Sequence, residues 1–598
     1  MRALIEAVGA NGNSRLSTNG GSAHWCRCGA SGSDRSLSGR RCRLLESRLM
    51  RKFLLGLGAL SLATLAPASA PAPADQRIAQ RVRADVEFLA SDGLEGRDTG
   101  SRGHAIAADY VAAQFRAIGL EPAGDKGGWY QHVPFRRASF DTPPRIILTL
   151  AGKPAALVQG TDASLRPSVT IPSIRQQAGF VFVGYGLKDA ALGLDDYRGL
   201  DVRGKVVVLL SGTPAGLPSD IAAHLGSTKD DTAAALGAVG FLEVDRRKSR
   251  GNRPESVRFS GRPLIDWVDA DGRSGLSPPG LALRLDLTSA YAERLFDGAP
   301  QSLAAIQKAV KANPKARVPG FVLAPTIAVE ATSKWEDFTS PEVIGLLRGS
   351  DPALAPEYVV LMGHLDHLGM KKDAKPGEDA IYNGALDNAA GVATMLEAAR
   401  QFAAQPTRPK RSLLFIANTG EERGLLGASY FASHPTVPAA SIVGLVDLDM
   451  PLLLYPFTDV IAFGADHSTI GASVAEAGRA MGIAVSPDPM PNEAIFVRSD
   501  HYMFVRKGVP AVLLMTGHAN GGKPKWDNFL GGVYHSVGDD LTQKIDWDAG
   551  ARYALLNYRI ARAMADAPSR PMWLQGDYFG NLYDQGGPRA PIVSPSRP

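Results

Sequence analysis

The spacing of apolar positions changes along the chain, and each change marks a different kind of structure. Residues 78–89 read as a helix. Residues 101–120 carry Ala105, Ala108, Tyr110, Val111, Phe115 and Ile118 at helical spacing, with Gly119 where a helix stop belongs. From about 155 to 325 the pattern breaks into short β-rich runs, such as 179–185 (GFVFVGY) and 205–210 (KVVVLL), bounded by Gly, Pro and Asp clusters. A helical segment at 233–240 leads into a further apolar run. This stretch is expected to form a small β-rich domain inserted into a larger one. From about 341, continuous apolar strands at 343–347, 358–362, 412–417 and 442–448 alternate with helices at 391–402 and 426–432. That alternation predicts an α/β fold, a mainly parallel sheet with helices on both faces. No 20–50-residue repeat is visible, and the Pro/Gly-rich stretch 586–598 is expected to be a flexible tail.

The region around Met50 follows a different logic. Arg51 and Lys52 precede a short apolar run over 53–65, and small residues then give Ala-x-Ala sites at 68–70 and 72–74. This is the pattern of a secretory signal peptide over 50–74, with an apolar run too short to span a membrane. The mature chain is therefore expected to carry no integral membrane segment and to be periplasmic or secreted. Met50 reads as the initiator, and residues 1–49 as a non-native upstream extension. Removing that region changes two bulk properties. Residues 1–49 carry eight arginines against three acids, and Arg51 and Lys52 add two more positive charges. Taking these from the total of +5 leaves about −2 for the rest, which removes any electrostatic case for nucleic acid binding. All three cysteines (Cys26, Cys28 and Cys42) also lie there; their spacing does not match paired CxxC zinc motifs, and only His24 lies near.

Five segments of the second half end an apolar run with ligand-type residues: VVLMGHLDHLG (359–369), NGALDNAAG (383–391), LLFIANTGEERGLLGAS (413–429), LVDLDMP (445–451) and YHSVGDD (534–540). Each has an ordinary reading alone. His364 could be a structural histidine, Glu421 and Glu422 a solvated pair, Asp387-Asn388 a turn, Asp447 and Asp449 caps, His535 a surface residue. Their common position at strand ends is harder to explain that way, because strand ends form the ligand crevice of an open α/β sheet. Imidazoles and carboxylates in this number suit two zinc ions sharing a bridging carboxylate and a water, with one further carboxylate as base.

These motifs resemble the co-catalytic dizinc exopeptidases, a family that includes secreted bacterial leucyl aminopeptidases and, more distantly, glutamate carboxypeptidases and transferrin-receptor-like proteins. LEGRDTGSRG (94–103) is similar to the family's opening segment, and 155–325 resembles a protease-associated insert, best at YRGLDVRGKVVVL (197–209). The resemblance implies a catalytic domain over 75–154 and 326–585. It implies two zinc ions per chain held by His364, Asp387, Glu422, Asp449 and His535, with Asp387 bridging. It makes Glu421 the general base and Asp366 the residue that orients His364, with Asp539 or Asp540 behind His535. It also implies a cis peptide between Asp387 and Asn388. The chain departs from the family at Asp447, where Asn is usual, and at Pro451 and the leucines after it, where Gly is usual; these departures are expected to reshape the substrate pocket.

The implied function is hydrolysis of N-terminal residues from peptides by a dizinc-bound water, an aminopeptidase activity. The alternatives are a carboxypeptidase or other amide hydrolase of the same fold, with Arg423 or Arg498 receiving an α-carboxylate, and a receptor-like binding protein without metals, which the complete residue set argues against.

Overall fold

The structure, a computed structural model, describes residues 74–244 and 263–592. The upstream extension, the three cysteines and the signal segment up to residue 73 lie outside the described residues. The first described helix, α1, spans Ala74–Leu89. It is followed by α2 (Arg102–Ile118), which starts where the Ser101 side chain accepts the His104 N–H and stops at left-handed Gly119.

The main sheet is built around β1 (Tyr130–Phe140), β2 (Phe321–Leu347), β3 (Tyr358–His364), β4 (Ser412–Asn418), β5 (Ile442–Asp447), β6 (Asp459–Phe463), β7 (Ala484–Ser486) and β8 (Ala511–Thr516), with the two-residue strand Glu121–Pro122 paired along β2. Their spatial order is β1-β2-β4-β3-β5-β8-β6-β7. The middle four, β4-β3-β5-β8, are parallel, whereas β2 joins β4 and β6 joins β8 antiparallel. Beyond Tyr358, β3 is buried at every position, as are β4, β5 and β8, which is why their sequences are unbroken apolar runs.

Helices cover both faces. α1, α2, α3 (Ala390–Ala404) and the long α6 (Trp547–Asp566) pack on one another and on the strands. On the other face lie the short α4 (Leu426–Ser433) and α5 (His501–Val505). Among the described residues no helix is long and apolar enough to cross a membrane.

The β-rich stretch has its own apolar core, running from Ile146 to Val329 and centred on Phe180, Phe182, Val206, Val208, Leu283 and Ile306. It therefore begins about ten residues before 155. It also lacks a clean exit at 325, because β2 is one continuous strand: Phe321 to Thr332 pairs inside the insert, and Ser333 to Leu347 pairs with β1 and β4. A further strand, Leu264–Trp267, leaves the insert and pairs with β1 of the main sheet. The helix expected at 233–240 lies earlier, at Lys229–Ala235; Gly237 turns the chain at positive φ, and Gly240 starts a strand. The tail expected from 586 is not free at its start, since Arg589–Ala590 pairs with Trp573–Leu574 and the Arg589 guanidinium holds the carbonyls of Gly580 and Gly587.

Candidate metal centre

Parallel pairing sets His364 beside Asn418 and Met362 beside Asp447, so the loops leaving β3, β4 and β5 emerge on one edge. These loops carry His364, Asp366 and His367; Glu421 and Glu422; and Asp449. Asp387 joins them from the distorted turn that leads into α3. His535 follows the short helix Phe529–Val533 and adopts a left-handed φ of 56°. The peptide between Asp387 and Asn388 is cis.

Two long-range clamps hold the loops. The Asn388 amide donates to Leu448 O (2.9 Å), and its oxygen accepts from Gly391 N (3.0 Å) and Met450 N (3.2 Å). One side chain thus caps α3 and ties the Asp387 turn to the Asp449 loop. Gly391 has no room for more: a Cβ there would stand 2.1 Å from Leu448 O. The second clamp is Arg97, fully buried, whose guanidinium donates to the carbonyls of Leu365 (2.9 Å), Asn383 (2.6 Å), Gly384 (3.0 Å) and Leu89. It joins the loop after β3 to the turn before Asp387. Burial brings its pKa down to about 10 against the pull of Asp539 and Asp366.

The donors converge on Asp387. His364 Nε2 lies 3.2 Å from Asp387 Oδ1 and 3.1 Å from Asp449 Oδ1. On the other side, His535 Nε2 lies 3.2 Å from both Asp387 Oδ2 and Glu422 Oε2. Two sets of donors, His364–Asp387–Asp449 and His367–Asp387–Glu422, each fall within 4.8 Å and share Asp387. The tautomer of His364 follows from its other nitrogen: Nδ1 faces the Asp366 carbonyl at 3.0 Å, which can only accept. Nδ1 therefore donates to that carbonyl, and Nε2 is left to face two carboxylate oxygens.

Carboxylate oxygens converging on one imidazole nitrogen hold a positive charge there, a proton or a metal ion. Burial alone would lower the His364 pKa, but Asp449 and Asp387 raise it well above the usual range. His535 behaves alike: burial opposes, and Glu422 with Asp387 bring it up to about 10. Burial and Asp387 push Glu422 upward, yet His535 and His367 hold it down at about 2. Asp387 Oδ2, Glu422 Oε1 and both ring nitrogens of His367 are buried without a hydrogen-bond partner. Orphaned atoms of these types fit metal cations, and the carboxylates of Asp387, Glu422 and Asp449 supply the opposing charge.

Glu421 is 7% exposed, and its N–H donates to Asp366 Oδ1 (3.2 Å). Burial pushes its carboxyl well above the usual range, helped by Glu422 and Asp449 and opposed by His364. His535 is the open side of the cluster, its side chain 19% exposed, and Tyr534 stacks on its ring at 3.7 Å.

Three expectations change. Asp366 orients His364 through its backbone carbonyl, while its carboxylate accepts from Thr99 Oγ1 (2.9 Å) and Glu421 N and is used up there. Asp539 holds Leu386 N and Asp387 N (3.0 Å each) rather than His535, and Asp540 caps Thr542. Asp447 is occupied within the fold, accepting from Ser499 Oγ (2.7 Å) and His501 N (3.1 Å). Sequence reasoning passed over His367, three residues beyond His364 in the same motif, and Arg97, whose acceptors are scattered from residue 89 to 384. The insert also reaches this edge: Trp267 packs against Leu426, and Leu276 lies against Gly424, two residues past Glu422.

Residues 342–561 match the model of Peptidase family M28. A probable zinc metalloprotease of Pyrenophora teres f. teres is 35% identical over 108 residues, covering 18% of this chain and 22% of that protein. Leupeptin-inactivating enzyme 1 of Streptomyces exfoliatus is 27% identical over 279 residues, covering 45% of this chain and 58% of its own length. The chain thus spans about a fifth of the first relative and somewhat over half of the second. Among solved structures, the aminopeptidase from Aneurinibacillus sp. strain AM-1 aligns over 83% of this chain and 97% of its own, with 19% identity and a TM-score of 0.47.

Proposed function

From a chain whose residues 342–561 form a Peptidase M28 family domain, we propose a zinc-dependent exopeptidase that removes N-terminal residues from peptides and works outside the cytoplasm. The observation that carries the reading is the pair of buried donor sets sharing Asp387, with the unconsumed carboxylate of Glu421 beside them. His364 and Asp449 would hold one zinc, Glu422 and His535 the other, and Asp387 both. Two zinc ions, when bound, supply Lewis acidity and bring a water's pKa from ~15.7 towards ~7.

The chain's own residues do the rest. Glu421 takes a proton from the attacking water at its carboxylate as the new C–O bond forms. It returns that proton to the leaving amine as the C–N bond breaks, so atoms and charge balance. The N–H of Glu421 on Asp366 keeps the base fixed to the loop that carries His364.

Two observations favour an aminopeptidase over a carboxypeptidase. Arg423 pairs with Asp98, and Arg498 with Glu493 (3.3 Å), so both guanidinium groups considered for an α-carboxylate already hold internal acids. Export rests on the signal pattern of 50–74. The inserted region is read as a protease-associated domain that narrows access to short peptides, which its Leu276–Gly424 contact supports.

The test is a panel of aminoacyl p-nitroanilides and amides against N-acetylated counterparts, with and without chelator. The reading expects cleavage of free-amine substrates only, lost with chelator and restored by zinc. Equal cleavage of N-blocked substrates, or chelator-resistant turnover, overturns it.

A further inference from the structure

His367 is the odd imidazole of the centre. Its ring is fully buried, and neither nitrogen has a hydrogen-bond partner, a state shared by no other histidine among the described residues. A neutral imidazole so placed leaves a donor and an acceptor unsatisfied, which is costly in an interior. Its position is not accidental. The His367 N–H donates to Arg97 O (3.1 Å), and Gly384 packs beneath the ring so closely that a Cβ there would meet ring carbons at 2.7 Å. The ring cannot swing aside.

What it faces is the side of the centre opposite Asp449. Nδ1 lies 2.7 Å from Glu422 Oε1 and 4.0 Å from Asp387 Oδ2. Across the same gap His535 Nε2 approaches Glu422 Oε2 and Asp387 Oδ2, each at 3.2 Å, and the two rings stand 5.9 Å apart at 64°. Bonds of 2.0–2.2 Å around one zinc put neighbouring donors roughly 3–3.6 Å apart, wider when the angle opens. The separations here bracket that range. A simple His367–Glu422 hydrogen bond accounts less well for them, since the close Nδ1–Oε1 approach does not have hydrogen-bond geometry and both atoms stay unsatisfied.

We propose that His367 is a metal ligand through Nδ1, a second imidazole on the ion held by Glu422 and His535. The inference rests on the two-metal reading above and deepens it. The two positions then differ: one imidazole with Asp387 and Asp449 on the first, two imidazoles with Asp387 and Glu422 on the second. Nitrogen-rich sites favour zinc over magnesium or manganese, so the second position is the more zinc-selective and the last to empty under chelation.

The test uses the full chain loaded with zinc and labelled with ¹⁵N in its histidine rings. NMR reads, for each imidazole, which nitrogen is shifted by zinc. Three zinc-shifted imidazoles are expected, two through Nε2 and one through Nδ1. His367→Gln should remove the Nδ1 set and weaken one of the two zinc ions by tenfold or more, leaving the other unchanged. Two zinc-shifted imidazoles with two zinc ions bound overturn the role of His367 while leaving the two-metal reading intact. The wild-type count decides this even if the variant fails to fold. Wild-type affinity for both ions in a folded His367→Gln also overturns it, and a chain that takes up no zinc overturns both readings.

Discussion

His364 and His467 each sit between two carboxylates, yet they are different objects. At His364, Asp387 and Asp449 approach the same nitrogen, Nε2, at 3.2 and 3.1 Å, while Nδ1 is taken by a carbonyl. At His467, Asp577 meets Nδ1 (2.6 Å) and Asp220 meets Nε2 (3.1 Å), one acceptor for each nitrogen. A single proton added to His467 satisfies both acceptors, and the trio closes as an ion pair joining the insert, through Asp220, to β6's following turn and the C-terminal segment. The converging oxygens at His364 cannot all be satisfied by one N–H, and further donors surround them. Acceptors that converge on one ring nitrogen suit a metal ion; acceptors that diverge suit a structural clasp.

Substitution separates the two most sharply. His364→Gln should lose zinc and lower kcat/KM by ~10³-fold or more, the scale of losing electrostatic stabilisation at the reacting group. His467→Gln should keep two zinc ions and leave kcat within about twofold. Zinc content by mass spectrometry and steady-state rates on one aminoacyl substrate check both.

The adjacent glutamates sharpen the same distinction within one loop. Glu421→Gln should retain zinc and lower kcat by ~10²–10⁴-fold, the range for loss of a general base. Glu422→Gln should instead lose the metal on its side. The reverse pattern would exchange the two roles.

The convergence at the sheet edge was legible because each buried parallel strand is an apolar run whose last residues must enter the crevice. That rule locates the segments carrying His364, Asp449 and the glutamate pair, while the roles of these residues and of Asp387 come from the family resemblance. What was not legible depends on partners distant in the chain. Nothing local to Arg97 announces four carbonyls drawn from residues 89, 365, 383 and 384. The return of Leu264–Trp267 to β1 is likewise a choice of partner that strand pattern cannot make. The change of pattern near 325 suggests a boundary, but β2 runs unbroken through it: burial alternates on both sides of 325 and becomes complete only from 342. His367 does not stand out in the sequence, because its motif already supplies a histidine and only burial reveals its unsatisfied nitrogens.

Arg97 belongs to the scaffold beneath the comparison. Arg97→Met leaves buried carbonyls without donors, at about 1–3 kcal/mol each. It should lower the urea midpoint strongly and, by loosening the loop after β3 against the Asp387 turn, weaken zinc retention as well. A Met variant with wild-type stability would mean that water replaces the guanidinium.

The smallest expected effect is in pH dependence, where the two histidine sites should respond in opposite senses. Burial opposes protonation of His467, but Asp220 and Asp577 bring its pKa up from 6.5 to about 9. A raised folded-state pKa means a stabilising contribution that is complete below about 6.5 and lost as pH rises through about 9. The stability gap between wild type and His467→Gln should therefore shrink from pH 6 to pH 10, as urea midpoints would register. Zinc retention should run the other way, improving as pH rises, because His364 and His535 must give up protons to bind it.

Two ions sharing Asp387 would be visible in crystals of the zinc-loaded protein through an anomalous difference map at the zinc edge. Two peaks ~3.5–4 Å apart are predicted, one within about 2.0–2.2 Å of each Asp387 carboxylate oxygen. A single peak, or peaks away from Asp387, would contradict the shared site.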